Sequence, residues 1–382
     1  MSPQGRHIFW LAGEYSADLH AGLVMRGLNA ALPGLRHSGI GGARMQAEGL
    51  EPLYPFSRFN VMGFAEVLGH LNFFRQVETG IRSFFRDDPP DLAILVDHPG
   101  LNLRIARLAS AFGIPVLYFI CPQFWAWHPG RVNQLRGRVR HVACILPFEQ
   151  KLLAAHNVPA TYVGHPIAEE IDLQLDRAGF ASLCGLDPAK RWIGFLPGSR
   201  DAVIRGMLPV YLEAARELSR QGFELLVSQA NTVSPPLFRQ LCHAAPVPGL
   251  KVVTTHRHEL MRHCELLVST SGTATLEAAY IGTPQLICYK TSPLSFAIGR
   301  RLVRIKRIGL PNLVLERDLL PELIQNACQP HSIVKVALGL LNDPARLQAM
   351  RKELARLRGM LSEPRASVEM TRLVKVLLHD HE

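Results

Sequence analysis

A chain of 382 residues, 48% of them apolar, is long enough for two domains with separate cores and too apolar to be disordered. The net charge of +10 favours acidic partners such as nucleotides, phosphorylated lipids or an anionic membrane surface; no zinc-finger spacing, RNP-type aromatic strand or long Lys/Arg tract points to nucleic acid. Seven scattered cysteines without a C-x-x-C read as reduced core residues of a cytoplasmic protein, and no stretch approaches the roughly 18 apolar residues of a spanning helix, so any membrane contact is peripheral.

In chain order, His7 to Ala12 is an apolar strand running into Gly13-Glu14-Tyr15-Ser16-Ala17-Asp18 and a helical pattern from Leu19 to Leu32. This puts a Gly-led loop at the carboxyl end of a strand, where open parallel sheets bind ligands, but without the G-x-G-x-x-G of a dinucleotide site. Ser38 to Gly42 is a second strand and turn, and Met45 begins the next helix. From Asn60 to Phe85 apolar residues, among them Met62, Phe64, Val67, Leu68, Leu71, Phe73 and Phe74, cover more than one helical face, with Arg75, Arg82 and Arg86 nearby. The stretch is either a core helix or a surface patch that dips into a bilayer or receives acyl chains. Leu92 to Val96 is a buried strand that delivers Asp97 to its tip, as a catalytic acid or as a helix cap, before a helix from Leu101 to Phe112. Val116 to Ile120 is followed by an aromatic loop holding Trp125, Trp127 and His128, with Arg131 beyond. The tryptophans are either a packing plug or a wall whose ring faces match the C–H face of a sugar. Val142 to Leu146 is a strand, Pro147-Phe148-Glu149 opens a helix, and Val163-Gly164-His165-Pro166 ends the first half.

After a linker with one helix, a second βα series starts at Trp192 to Leu196 and meets Pro197-Gly198-Ser199-Arg200, a turn with a cation and free N–H donors at a strand tip. A helix from Val210 to Gln221, strands at Glu224 to Ser228 and Leu250 to Thr254, and a helix from Glu259 to His263 follow. Leu266 to Lys290 then reads as strand, small-residue turn (Ser271, Gly272, Thr273), helix, and a strand from Gln285 to Tyr289. Such a turn is either a plain capped βα connection or a phosphate cradle at a helix N-terminus, with Glu277 one turn further in to accept from a ribose diol. Ala297 to Arg307 is helical and basic, Leu310-Pro311-Asn312 follows, and Ser332 to Leu378 reads as amphipathic helices with a solvated basic face. The expected organisation is an α/β chain of two Rossmann-like domains facing a cleft: residues 1–167, a linker at 168–190, residues 191–345, and C-terminal helices at 346–382. That pairing suits a nucleotide-sugar transferase. Asp97 would take the proton of an acceptor hydroxyl, and helix N-termini with Arg200 would take the charge of a leaving diphosphate in place of a metal, since no D-x-D signature is present.

GEYSADLHAG (13–22), GIGGARMQAEG (39–49), VMGFAEVL (61–68), VDHPGLN (96–102), PQFWAWHPGRV (122–132), LPFE (146–149), YVGHP (162–166), LPGSR (196–200), SGTATLEA (271–278) and LPN (310–312) occur in order along nearly the whole chain. Together they resemble the lipid-A-disaccharide synthases, glycosyltransferases of the GT-B fold. The resemblance implies transfer of a sugar from UDP-2,3-diacylglucosamine to 2,3-diacylglucosamine 1-phosphate, giving a β-1,6 disaccharide 1-phosphate and UDP, with inversion and without metal or cofactor. It implies Asp97 as base, Arg200 and Ser199 near the diphosphate, Glu277 at the ribose, and Asn312 with Gly13, Ser16, Ser271, Gly272 and Thr273 in the donor site. It assigns Met62, Phe64, Val67, Leu68, Leu71, Phe73, Phe74, Trp125, Trp127 and Arg131 to the acceptor and a membrane face, on the anionic inner membrane from the cytoplasmic side. A homo-oligomer is left open.

The chain departs from the family pattern at Ala17 before Asp18, at Gly100 and Leu101 after His98-Pro99, and at Val203, where a Glu is usual. Gly100 removes a carboxylate near the expected base. Two other readings remain: a different GT-B enzyme on UDP-sugars, such as a UDP-N-acetylglucosamine epimerase, and a non-catalytic membrane-bound paralogue.

Overall fold

The computed structural model describes residues 5–59, 71–127, 129–291 and 307–379. They form two compact units, the first made of Met1–Glu170 with Ser362–Glu382 and the second of Ile171–Leu361. Both are parallel α/β sheets. In unit one, seven strands lie in the order β3-β2-β1-β4-β5-β6-β7: β1 (His7–Ala12), β2 (Arg36–Ile40), β3 (Leu50–Pro52), β4 (Leu92–Val96), β5 (Val116–Phe119), β6 (His141–Cys144) and β7 (Ala160–Tyr162). In unit two the order is β10-β9-β8-β11-β12-β13: β8 (Trp192–Leu196), β9 (Glu224–Ser228), β10 (Lys251–Val253), β11 (Leu266–Thr270), β12 (Gln285–Tyr289) and β13 (Glu322–Ile324). Each sheet reverses its winding once, next to β1 and β4 in unit one and β8 and β11 in unit two. At such a reversal the two flanking loops leave in opposite directions and open a crevice at the strand tips.

The central strands are continuous apolar runs because helices cover both faces: every residue of β1, β4, β8 and β11 is buried. The helix Leu71–Asp87 turns Phe73, Phe74, Val77, Ile81 and Phe85 into the unit-one core. This corrects the assignment of Phe73 and Phe74 to a lipid face. Their spacing from Val77, Ile81 and Phe85 is one helical stripe, and that stripe packs against the sheet, with Phe73 stacked near Phe59 and under Arg58. Met62, Phe64, Val67 and Leu68 lie outside the described residues, as do His128 and all of the expected basic helix but Arg307; Leu71, Trp127 and Arg131 are described by their backbone only.

Two differences from the expected elements have physical causes. The helix expected from Val210 starts at Asp201, directly after LPGSR, and runs through Pro209 to Ser219. Pro209 lacks an N–H for the Arg205 carbonyl one turn back, but Ile204, Met207, Leu208, Tyr211 and Leu212 are buried along the same face and hold the helix together across it. The last helix, Ala366–His379, belongs to unit one rather than to a separate C-terminal piece: it packs on the helix Tyr15–Ala31 and buries Met370, Leu373, Val374, Leu377 and Leu378 in that core. Gly164 locks this return, since a Cβ there would stand 1.7 Å from the Pro364 carbonyl oxygen. The stretch expected as a linker carries the helix Arg177–Cys184, capped by Asp176, whose carboxylate accepts from Gly179 N at 2.8 Å.

Candidate functional site

In unit one, Gly13 and Asp97 leave the tips of β1 and β4, adjacent strands paired in register at Ala12 and Val96. They therefore flank the winding reversal. Asp97 has φ 49° and His98 φ 40°, and Ile120, at the tip of the next strand, has φ 63°. Left-handed backbone costs energy for non-glycine residues, most for a β-branched one, and persists where the surroundings over-determine it. Here they do: the Asp97 carbonyl accepts from Asn102 Nδ2 at 2.7 Å and Tyr118 OH at 2.7 Å, while Asp97 N donates to Phe119 O at 3.0 Å. The backbone is thus clamped on three sides, and the half-buried carboxylate stands at the crevice. His98 packs beside Gly13, where an added Cβ would lie 3.7 Å from the imidazole. Burial lowers the pKa of His98 against the opposing pull of Glu14, and its Nδ1 has no hydrogen-bond partner among the described residues. This neutral imidazole, with a buried nitrogen unpaired among the described residues, is a group beside the acid that the sequence did not single out. Its signal was position, one residue past the strand-tip acid.

Ser16 lies in the first turn of the helix after Gly13, whereas Asp18 is fully engaged, accepting from Gly42 N, Arg44 N and Met45 N at 2.8, 3.2 and 3.1 Å. Gly100, the departure nearest the acid, has open space where a Cβ would stand. Trp125 is half-buried against the core, with its ring edge-on to Phe148 at 5.1 Å and its Nε1 donating to Glu149.

In unit two, LPGSR leaves β8 and SGTATLE leaves β11, again neighbouring strands flanking the reversal and paired at Leu196 and Ser269. Gly198 has φ 118°, reserved for glycine, and Val203 covers it, so a Cβ there would fall 2.8 Å from Val203 Cγ1. Ser199 and Arg200 are exposed just before the helix that starts at Asp201. Gly272 and Thr273 are exposed at the start of the helix Thr273–Ile281, and Ser271 Oγ donates to Ile308 O at 2.9 Å, tying the turn to the LPN segment. Glu277, on the inner side of the same helix, is buried; its Oε1 accepts from Arg257 at 2.8 Å, and its Oε2 has no partner among the described residues. His258 Nε2, also unpartnered, is 4.0 Å from that oxygen. Burial lowers the His258 pKa, and an Asp172 backbone group bonds the ring, leaving the neutral Nε2 as an acceptor. Two acceptors side by side are satisfied by a group carrying two donors, such as a vicinal diol. Arg257 and His258 had no motif signal; they are found only because their helix lies beside Glu277 in space.

Asn312 departs from the expected ligand role. It is fully buried, donates to Leu320 O and Glu322 Oε1 at 2.8 and 2.9 Å, and accepts from Leu319 N and Leu320 N at 3.1 and 2.9 Å. Every hydrogen bond of its amide goes into its own loop, so it shapes the site wall and has no atom left for a ligand. A cavity of about 430 Å³ opens at the opposite, amino end of this sheet, lined by Arg177, Arg191, Arg262 and Arg351 among others. Arg177 is committed to the carbonyls of Pro188, Lys190 and His263, and Arg191 to Glu265, so this cavity is a structural seam rather than the ligand end.

Among known proteins, the family model described as lipid-A-disaccharide synthetase matches residues 8–375. The chain is 38% identical to the lipid-A-disaccharide synthase of Trichlorobacter lovleyi, over 97% of each chain. Its fold is similar to a putative UDP-N-acetylglucosamine 2-epimerase from Listeria monocytogenes, with TM-score 0.67 and 13% identity over 98% of this chain and 97% of that one. It is also similar to CalG4, the calicheamicin glycosyltransferase, with TM-score 0.65 and 15% identity over 98% of this chain and 99% of the other.

Proposed function

The chain belongs to the lipid-A-disaccharide synthase family, and from that premise we propose that it transfers 2,3-diacylglucosamine from its UDP derivative to the 6-hydroxyl of 2,3-diacylglucosamine 1-phosphate. The acceptor hydroxyl loses its proton to the Asp97 carboxylate, and its oxygen attacks the anomeric carbon of the donor. The bond from that carbon to the diphosphate breaks, UDP departs with the bonding pair, and the configuration inverts to β. A single observation supports this division of labour: each sheet carries its family motifs at the winding reversal, an acid at one and a phosphate-type helix N-terminus at the other. Ser199, Arg200, Ser271, Gly272 and Thr273 receive the diphosphate in this reading. Glu277 and His258 receive the two ribose hydroxyls, Gly13 and Ser16 belong to the donor site, and His98 stands next to Asp97. Gly100 leaves open space beside the base.

Incubation with both acylated sugars, followed by mass spectrometry for the disaccharide 1-phosphate, tests the reaction. Asp97→Ala is expected to lower kcat by about 10²–10⁴ with the fold intact, the usual worth of a general base. Turnover at the wild-type rate in that variant removes Asp97 from the role. No helix among the described residues is long and apolar enough to cross a membrane. The acylated substrates and the net charge of +10 support attachment to an anionic inner-membrane surface. Sedimentation with phosphatidylglycerol vesicles, weakened by salt, is the expected behaviour; equal sedimentation with neutral vesicles in high salt contradicts it.

A further inference from the structure

Glu149 is a carboxylate that the transfer chemistry leaves unused. It is 1% exposed, at the start of the helix Glu149–Ala155 just past the tip of β6. Its two oxygens are both occupied: Oε1 accepts from Trp125 Nε1 and Oε2 from Leu146 N, each at 3.1 Å. Trp125 sits on the short helix Phe124–Trp127 that follows β5, and β5 lies between β4 and β6. In register, Val96 pairs with Phe119 and Phe119 with Ala143, so the segments carrying Asp97, the aromatic turn and Glu149 leave the sheet at one level. The left-handed residues Asp97, His98 and Ile120 mark the same edge.

We propose that Glu149 is a positioning residue of the transfer reaction: its carboxylate pins Trp125, and with it the aromatic segment, beside the acceptor base. The proposal rests on the reading of Asp97 as that base. The grip depends on ionisation. A carboxylate accepts strongly from both N–H groups, whereas in the protonated carboxyl the charge is lost and the hydroxyl oxygen is the poorer acceptor, so one of the two bonds weakens. Burial pushes the Glu149 pKa up to about 7; the Trp125 and Leu146 donors hold it down, and the like charge of Asp97 adds to the rise. The other groups that bear on it, Cys121 after β5, Cys144 on β6 and Tyr162 on β7, are all acidic, and burial raises each of them. As pH rises through 7, Glu149 becomes charged and fixes Trp125.

The test compares kcat against pH with the fluorescence of Trp125, taken as the difference between wild type and Trp125→Phe. In the wild type both titrate near pH 7. Glu149→Gln, close in shape but unable to ionise, loses both titrations and stays at the low-pH rate. Trp125→Phe keeps a ring but not the donor, so the kinetic inflection moves to higher pH. Asp97→Ala removes the like charge, so the Trp125 titration moves to lower pH. A Glu149→Gln profile that superimposes on the wild type overturns the proposal, as does a Trp125 signal blind to pH. If Glu149→Gln fails to fold, an unmoved inflection in Trp125→Phe overturns it instead. Turnover surviving in Asp97→Ala defeats the base reading alone, because the fluorescence titration needs no turnover.

Discussion

Glu277 and His258 set two buried atoms 4.0 Å apart that have no hydrogen-bond partner among the described residues. An unpaired buried acceptor is costly, so a diol that fills both gains more than one that fills a single position. Each lost hydroxyl should weaken UDP binding by about 1 kcal/mol, roughly fivefold. Calorimetry with UDP and its 2′-deoxy and 3′-deoxy analogues should show that penalty in the wild type, and His258→Ala should erase it for one analogue; unchanged ratios in that variant would exclude His258 from the site. The contrast with Asn312 shows what the sequence conveys at this scale. Both Glu277 and Asn312 stand in recognisable motifs. That Glu277 keeps an oxygen free while Asn312 has none depends on Leu319, Leu320 and Glu322 folding back around the amide. No spacing rule encodes that return. His258 was invisible for the same reason: its partner is nineteen positions away and meets it only across two helices.

Among the elements, β1, β8, β9 and β12 were legible to the residue, because buried parallel strands are unbroken apolar runs. The helix after LPGSR was not, since Pro209 reads as a stop and only burial on its inner face overrides it. Phe73 and Phe74 show the limit of an apolar pattern: it marks a stripe without saying whether core or lipid meets it. The pairing of β1 with β2 makes a further prediction. Trp10 Nε1 donates to His37 Nδ1 at 3.0 Å, and His37 Nε2 bonds Asn29 Oδ1 at 2.8 Å, an arrangement that needs the neutral ring with its proton on Nε2. Burial pushes His37 down to about 4 and His165 down to about 3. A folded-state His pKa below the usual value means the unfolded chain binds more protons, so this stability is full above about pH 6.5 and declines as pH falls toward 4. His37→Gln, which can still accept and donate, should flatten part of the fall in Tm between pH 6.5 and 4; an equal slope in both proteins would refute it. Glu149 acts in the opposite sense, its contribution fading as pH rises from 4.5 through 7, and it cancels in the comparison.

At the scale of the molecule, unit two is one continuous stretch, Ile171–Leu361, while unit one is closed by residues from the far end of the chain. The five large apolar side chains that Ala366–His379 buries, Met370, Leu373, Val374, Leu377 and Leu378, are worth about 1.5–3 kcal/mol each. Their sum rivals the roughly 5–15 kcal/mol by which a domain is stable. Residues 171–361 expressed alone should therefore melt cooperatively and bind UDP, and residues 1–170 should melt cooperatively only when a peptide of residues 362–382 is added. A cooperative transition in 1–170 by itself would contradict this. The sequence suggested two domains from its repeated βα series, but not the crossing back, because an amphipathic helix does not name the surface that covers it. That crossing also sets an order of events at the ribosome. The middle of the polypeptide can reach its native state while translation is still under way, but the opening 170 residues, though made first, wait half-built with the Tyr15–Ala31 helix uncovered until Ala366–His379 emerges from the exit tunnel. A premature stop codon in those final turns would leave residues 171–361 whole and strip the cover from the Tyr15–Ala31 helix.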